Sequence, residues 1–359
     1  MAKIYLACGL LPAVLIAIGI AASASGDEAA PVRQKPDYSK LYLKGDGHAQ
    51  DSFSLTMQAV ARLYGIDTDY ETIYALSGNG FAPGIHPPEA CRQLQRMHDR
   101  GQCLDLVAAR LGLEVRPLKF DKDRQPWTVI REALDRGEVV ITSGGWRDVP
   151  YAFWGIILEA PENGPVGAIR GATQNGRKDN RLDHDRECWA VTLGRPTMTP
   201  EQADIVMLER AVARIRGDKK PFLPGKVVYG LKAMDMWIAD MRQPAFQPDD
   251  PGSSAGNATY CALYTCEGAR DICSYLRRRL VTFPEAARPD IAAAADQYEY
   301  IWRALAPFAG ATGQVSGYAA VIGDQTRQEQ HAKEVLTPCK EAMAKAAEHL
   351  EKALSAIKR

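Results

Sequence analysis

The β-forming residues of this chain gather in one stretch, Glu138 to Leu193, with helical patterns on both sides, and this confinement limits the fold more than any other feature. Glu138-Val-Val-Ile-Thr142, Ala152-Phe-Trp-Gly-Ile-Ile-Leu158, Val166 to Ile169 and Cys188-Trp-Ala-Val-Thr-Leu193 are rich in β-branched and aromatic residues, and Asn163-Gly164 and Asn175-Gly176 between them suit tight turns. Upstream, Ser52 to Tyr64 carries apolar residues at three- and four-residue steps and stops at Gly65. Tyr70 to Leu76, closed by Ser77-Gly78-Asn79-Gly80, Cys103 to Leu111 and Trp127 to Asp135 repeat the helical pattern. Helices followed by a run of strands predict an α+β domain. Downstream, Thr199-Pro200-Glu201-Gln202 combines a capping box with proline at the first helical position. Helices are expected over 199–216, 229–243, 258–282, 285–308 and 325–358, with Gln243 to Gly256 as a loop.

The 359 residues have room for about two domains at ~100–200 residues each. Lys and Arg total 44 and Asp and Glu total 44, so the basic excess of a nucleic-acid-binding protein is missing. With 46% hydrophobic and 25% charged residues the composition is that of a globular protein. At the N-terminus, Lys3 precedes an uncharged apolar run from Ile4 to Ala22, and Ala22-Ser23-Ala24 fits a signal-peptidase site. The expectation is a signal peptide over 1–24, a polar linker over 25–40 and an extracytoplasmic mature chain. A membrane enters only if the N-terminal segment stays uncleaved.

Eight cysteines less Cys8 leave seven, an odd number, so an oxidising compartment would leave at least one thiol unpaired within the chain. Cys91 and Cys103 are the expected disulfide. His86, Cys91, His98 and Cys103 could alternatively hold zinc, although their spacing matches no common zinc motif. Cys261, Cys266 and Cys273 share one expected helix and are too far apart along it to bridge one another, which leaves either bridges to other elements, Cys339 foremost, or buried thiols. Tyr298, Tyr300, Ile301, Trp302 and Leu305 read as a core stripe, Arg277-Arg278-Arg279 as a solvated face, and Asn257-Ala-Thr259 as a glycosylation sequon. The phosphate-loop, dinucleotide, zincin and nucleophile-elbow signatures are missing, and no cofactor or metal is expected.

Asp51-Ser-Phe-Ser-Leu-Thr-Met-Gln-Ala-Val-Ala-Arg-Leu-Tyr-Gly65 resembles the nucleophile helix of the C39-like branch of the papain-like superfamily, which reads Asp-Cys-Gly, an apolar helix, then Tyr-Tyr-Gly. Ser77-Gly-Asn-Gly-Phe81 resembles a turn of relatives of the butirosin-biosynthesis acyltransferase, and Phe153-Trp-Gly-Ile-Ile157 the strand that carries the family's histidine. Arg270-Asp-Ile-Cys-Ser-Tyr-Leu276, with Ala294 to Leu305, resembles the helical C-terminal half of those proteins. The resemblance spans roughly Leu43 to Phe308. It implies a papain-like (C39-like) α+β domain over 41–196 followed by an all-α helical domain over 197–359. It also implies cysteine-histidine chemistry on amides or esters, in which a helix N-terminus and an imidazole favour the thiolate. Here the nucleophile position holds Ser52 and the histidine position Phe153. The oxyanion glutamine falls on Asp46, with His48 and Gln50 near it, and Asn175 occupies the orienting position.

These substitutions predict a pseudoenzyme that binds a peptide or small amide-bearing ligand between helix 52–64 and strand 151–158. An active peptidase, amidase or acyltransferase using Ser52 with His48 or His184 as base, and a structural envelope protein, are the alternatives. The leader reading predicts that N-terminal sequencing of exported protein begins at Ser25; a sequence beginning at Met1 or Ala2 would assign the apolar run to an anchor instead.

Overall fold

In the computed structural model, residues 34–43, 51–85, 100–120, 125–147, 154–162, 169–174, 180–182, 187–217, 228–242, 254–309, 321 and 324–359 are described. The upstream helices are α1 (Ser52–Leu63), α2 (Tyr70–Ser77), α3 (Arg100–Leu111) and α4 (Pro126–Asp135). Each of α1 and α2 begins on an aspartate whose side chain accepts an orphan N–H of the first turn: Asp51 from Ser54 at 2.8 Å and Asp69 from Thr72 at 2.7 Å. Gly78 ends α2 at φ +75°, the left-handed cap that glycine adopts without steric cost.

The strands are β1 (Gly84–Ile85), β2 (Leu113–Pro117), β3 (Val139–Thr142), β4 (Gly155–Glu159), β5 (Arg170–Thr173), β6 (Asn180–Arg181), β7 (Cys188–Leu193) and β8 (Val228–Tyr229). Six form an antiparallel sheet in the order β2-β7-β3-β4-β5-β6, and β1 pairs with β8 in a separate ribbon. Successive strand residues point to opposite faces. Val139, Ile141, Ile156 and Val191 belong to the main core, whereas Val140, Ile157 and Ala190 belong to a second cluster with Val129, Ile130 and Ala133 of α4. Both faces are covered, which is why the central strands read as unbroken apolar runs rather than as an alternation. The mixed α+β class expected from the sequence is the class observed.

The remaining helices are α5 (Pro200–Arg216), α6 (Gly230–Met241), α7 (Ser254–Arg279), α8 (Arg288–Leu305), α9 (Gln325–His331) and α10 (Thr337–Ile357). The Thr199 capping box forms, with both reciprocal hydrogen bonds present. The main core runs without interruption from Phe53 of α1 to Leu354 of α10, and Gln34–Arg359 is one compact unit. The structure departs from the sequence expectations in several places. The sequence reading left Leu113–Pro117 unassigned, yet it is the edge strand β2, three of whose five residues face water and blur its pattern. The expected loop Gln243–Gly256 gives way to helix from Ser254, and residues 243–253 lie outside those described. The Asn257 sequon falls within this helix. Tyr300 leaves the stripe for solvent at 45% exposure, while Tyr298, Ile301 and Leu305 are buried.

The arginine run ending α7 is solvent-exposed at Arg277 and Arg278 and half-buried at Arg279, as a solvated face would be, but each guanidinium also reaches a carboxylate on another element. Arg277 pairs with Asp296, at 2.9 Å, and with Glu299 of α8; Arg278 pairs with Asp69, at 3.1 Å, and with Glu71 of α2. Arg279 meets Asp204 of α5 at 2.7 Å, and the same carboxylate accepts the Tyr275 hydroxyl at 2.6 Å. Burial, reinforced by the Asp204 charge, raises the Tyr275 phenol well above its ordinary range.

The single helix expected over 325–358 is interrupted by a π turn, Ala332–Leu336, between α9 and α10. The Thr337 hydroxyl donates to the Ala332 carbonyl at 2.8 Å across this widened turn. His331 lies just before it, buried, with its ring edge-on to Phe308 at 4.3 Å. Burial pushes its imidazole down to about 4 from the ordinary 6.5. The unfolded chain therefore binds this proton at a higher pH than the folded one, so the contribution to stability is complete above 6.5 and is lost as pH falls toward 4. Integrated, the loss is ~3 kcal/mol. Urea unfolding of the wild type and of His331→Leu at pH 7.5 and 4.5 should show the smaller pH loss in the variant; equal losses would remove His331 from the balance.

Candidate functional site

Ser52 is the first residue of α1, directly after the capping Asp51, so its side chain sits where a helix N-terminus gathers orphan donors. Asp51, not Ser52, performs the capping, accepting from both the N–H and the hydroxyl of Ser54. The backbone N–H of Asp51 in turn donates to the Tyr70 hydroxyl at 3.1 Å. The Ser52 hydroxyl instead accepts the backbone N–H of Trp154 at 3.1 Å, linking the start of α1 to the residue preceding β4. One lone pair that a nucleophile would direct at an acyl carbon is engaged there. Only 7% of Ser52 is exposed, and its neighbours Phe53 and Trp154 are fully buried. The rings build inward from this point: Phe53 stands edge-on to Trp154 at 5.0 Å, and Trp154 stacks on Trp189 of β7 at 5.1 Å.

Of the candidate residues, Ser52 alone falls among those described. His48, Asn175, His184 and Phe153 lie outside them, as do Asp46, Gln50, His86, Cys91 and His98 and the side chain of Cys103. Cys188, Cys261, Cys266, Cys273 and Cys339 are buried thiols, none in a disulfide. Burial pushes the Cys266 and Cys339 thiols up to about 12, and the Cys266 thiol donates to the Trp302 carbonyl at 3.6 Å. These are inert thiols rather than nucleophiles.

A second, narrow concavity opens where the turn Asn79–Phe81 and the β1–β8 ribbon meet α5, α7 and α8, with a volume of about 30 Å³. Asn79, Phe81, Arg214, Tyr229, Thr265 and Tyr298 line it. Arg214 is 6% exposed; its Nη1 donates to Asn79 Oδ1 at 3.2 Å, and its guanidinium lies 4.6 Å from the centroid of the Tyr229 ring. The Tyr298 hydroxyl donates to the Phe81 carbonyl at 3.0 Å, and the two rings meet edge to face at 5.8 Å. Burial raises the Tyr298 phenol far beyond its ordinary value, so it acts as a hydrogen-bond donor, not an anion. Thr265 Oγ1 is shielded from solvent and has no hydrogen-bond partner among the described residues.

Neither the protein-family models nor the curated proteins contain a match to this chain. The sequence reading singled out Asn79 and Phe81 in a turn, and Tyr298 and Ile301 in a stripe, but joined neither to Arg214 or Thr265. Arg214 is 135 residues from Asn79, and nothing in its own helix marks it off from other arginines.

Replacing Ser52 by alanine removes the acceptor of the Trp154 N–H, at a cost of ~1–3 kcal/mol for a buried donor that loses its bond. Urea unfolding followed by tryptophan fluorescence should show the midpoint lowered accordingly; an unchanged midpoint would mean that the serine does not hold α1 to the sheet.

Proposed function

We propose that this chain is an exported, non-catalytic protein on a papain-like, C39-like scaffold, and that it acts by binding a small ligand rather than turning one over. The observation that carries this reading is the Ser52 hydroxyl: it stands where the resemblance puts the nucleophile, yet it is almost wholly buried and accepts the backbone amide of Trp154, whose ring packs on Phe53 and Trp189. An alcohol needs an adjacent base to become a nucleophile, and in the resemblance the position of that base holds Phe153. The placement of Trp154, the neighbour of Phe153, against the start of α1 supports the correspondence between these segments and the papain-like helix and strand. The resemblance suggests a peptide or amide-bearing ligand.

Export rests on the Lys3, Ile4–Ala22 and Ala22-Ser23-Ala24 pattern. Among the described residues, no helix is long and apolar enough to cross a membrane.

The test is to expose the wild type to serine-directed phosphonates and to libraries of amide and ester substrates. No adduct on Ser52 and no turnover are expected. Stoichiometric labelling of Ser52, or a turnover that Ser52→Ala abolishes in folded protein, would establish the active-enzyme alternative, with His48 or His184 as the base to examine next.

A further inference from the structure

The turn after α2 contains a dipeptide with its own covalent chemistry. Asn79 is followed by Gly80, and a residue without Cβ leaves the preceding asparagine side chain open to attack by the next backbone nitrogen. The reaction consumes one water and needs no catalyst. The Gly80 nitrogen bonds to Asn79 Cγ, the bond from Cγ to the side-chain nitrogen breaks, and ammonia leaves with the proton that the Gly80 N–H gives up. Water then opens the five-membered imide. Opening at Cγ restores the main chain and leaves an aspartate. Opening at the main-chain carbonyl routes the backbone through Cβ and leaves an isoaspartate, longer by one carbon, ~1.5 Å.

The folded chain opposes each stage. Asn79–Phe81 forms a 3-10 turn, which closing the imide would unwind. Asn79 Oδ1 accepts from Nη1 of the buried Arg214 at 3.2 Å, so swinging Cγ onto the Gly80 nitrogen breaks this bond. The Asn79 N–H donates to Ser77 Oγ at 3.3 Å, which pins the turn from its other side. Gly80 is buried, and a Cβ placed on it would meet a ring carbon of Tyr74 at 2.6 Å and Ile272 at 2.7 Å. A Cβ placed on Gly268 of α7 would lie 3.1 Å from both the Cα and the carbonyl oxygen of Gly80. An inserted backbone carbon has no room there. An aspartate is a different case, because it keeps the shape of asparagine and puts a carboxylate oxygen where Arg214 already donates.

We infer that Asn79 is a latent deamidation site guarded by the crossing of its turn with α7, and that its two products have opposite fates: aspartate is accepted, whereas isoaspartate keeps the crossing from closing. The inference is independent of the ligand-binding reading and of Ser52. The full chain is aged in alkaline ¹⁸O-water, folded or in urea, and peptide mapping by mass spectrometry follows the conversion of Asn79. The folded chain should react at least about tenfold more slowly, because attack must wait for the turn to open. Gly268→Ala, which crowds the crossing by one methyl group, should speed the reaction several-fold in folded protein. Thr199→Ala, which weakens the α5 cap instead, should not. Equal rates in folded and unfolded chain, or equal effects of the two variants, would overturn the inference. A third measurement decides the matter even where Gly268→Ala does not fold. Wild type aged in urea is refolded and separated by size exclusion. Aspartate at position 79 should enter the folded peak and isoaspartate should be depleted from it; isoaspartate in that peak at its proportion in urea would overturn the inference.

Discussion

The fold depends on a close backbone crossing between the turn after α2 and the long helix α7. A Cβ built on Gly80 would lie 2.6 Å from a ring carbon of Tyr74 and 2.7 Å from Ile272, and one built on Gly268 would lie 3.1 Å from the Gly80 Cα. The two glycines let main chain lie on main chain, and no larger side chain fits without displacing one segment. That proximity brings Phe81 to Tyr298 and Asn79 to Arg214, and so creates the cleft. Its walls come from both the strand-bearing and the helical parts of the chain, and its shape is therefore a property of their junction.

Charged groups hold the same junction at its rim. Arg278 ties α7 to the cap and first turn of α2, and Arg279 with Tyr275 ties it to Asp204 of α5. The pairs are unequal in physical weight. Arg278 and Asp69 are both about half exposed, so the pair is screened by water and salt and counts for little by itself. Asp204 is 4% exposed and accepts from two donors. Removing either donor would leave a buried charge poorly solvated, which costs far more than the intact arrangement contributes. Asp204 thus acts more as a constraint on how α5 and α7 seat than as a source of stability.

The sequence revealed those parts of the fold whose signals are local. Helix limits such as Ser52–Leu63 and Pro200–Arg216 follow from a capping side chain and a glycine or polar stop, both visible within a few residues. The strands β3, β4 and β7 were legible because both faces of the sheet are covered and their residues are uniformly apolar. The solvent exposure of Arg277 and Arg278 was legible, but their carboxylate partners on α2 and α8, and that of Arg279 on α5, were not, because those stand on elements distant in sequence. At the candidate site, Ser52 and its place at a helix start were readable. Its bond to Trp154, 102 residues away, was not, since pairing at that distance is decided by topology. Arg214 and Thr265 were invisible for the same reason.

The buried thiols of α7 and α10 bear on how such a chain would mature outside the cytoplasm. Cys266 and Cys339, held protonated by their surroundings, are poor partners for oxidants while the core is closed. On the proposed reading of export, a newly translocated, still unfolded chain would expose the same sulfurs to solvent, where a thiol ionises near its ordinary pKa. Folding is then a race: the helical core must close over its thiols before an oxidase couples them wrongly. For an exported chain, protection would then be kinetic, resting on how quickly the core closes and how rarely it reopens.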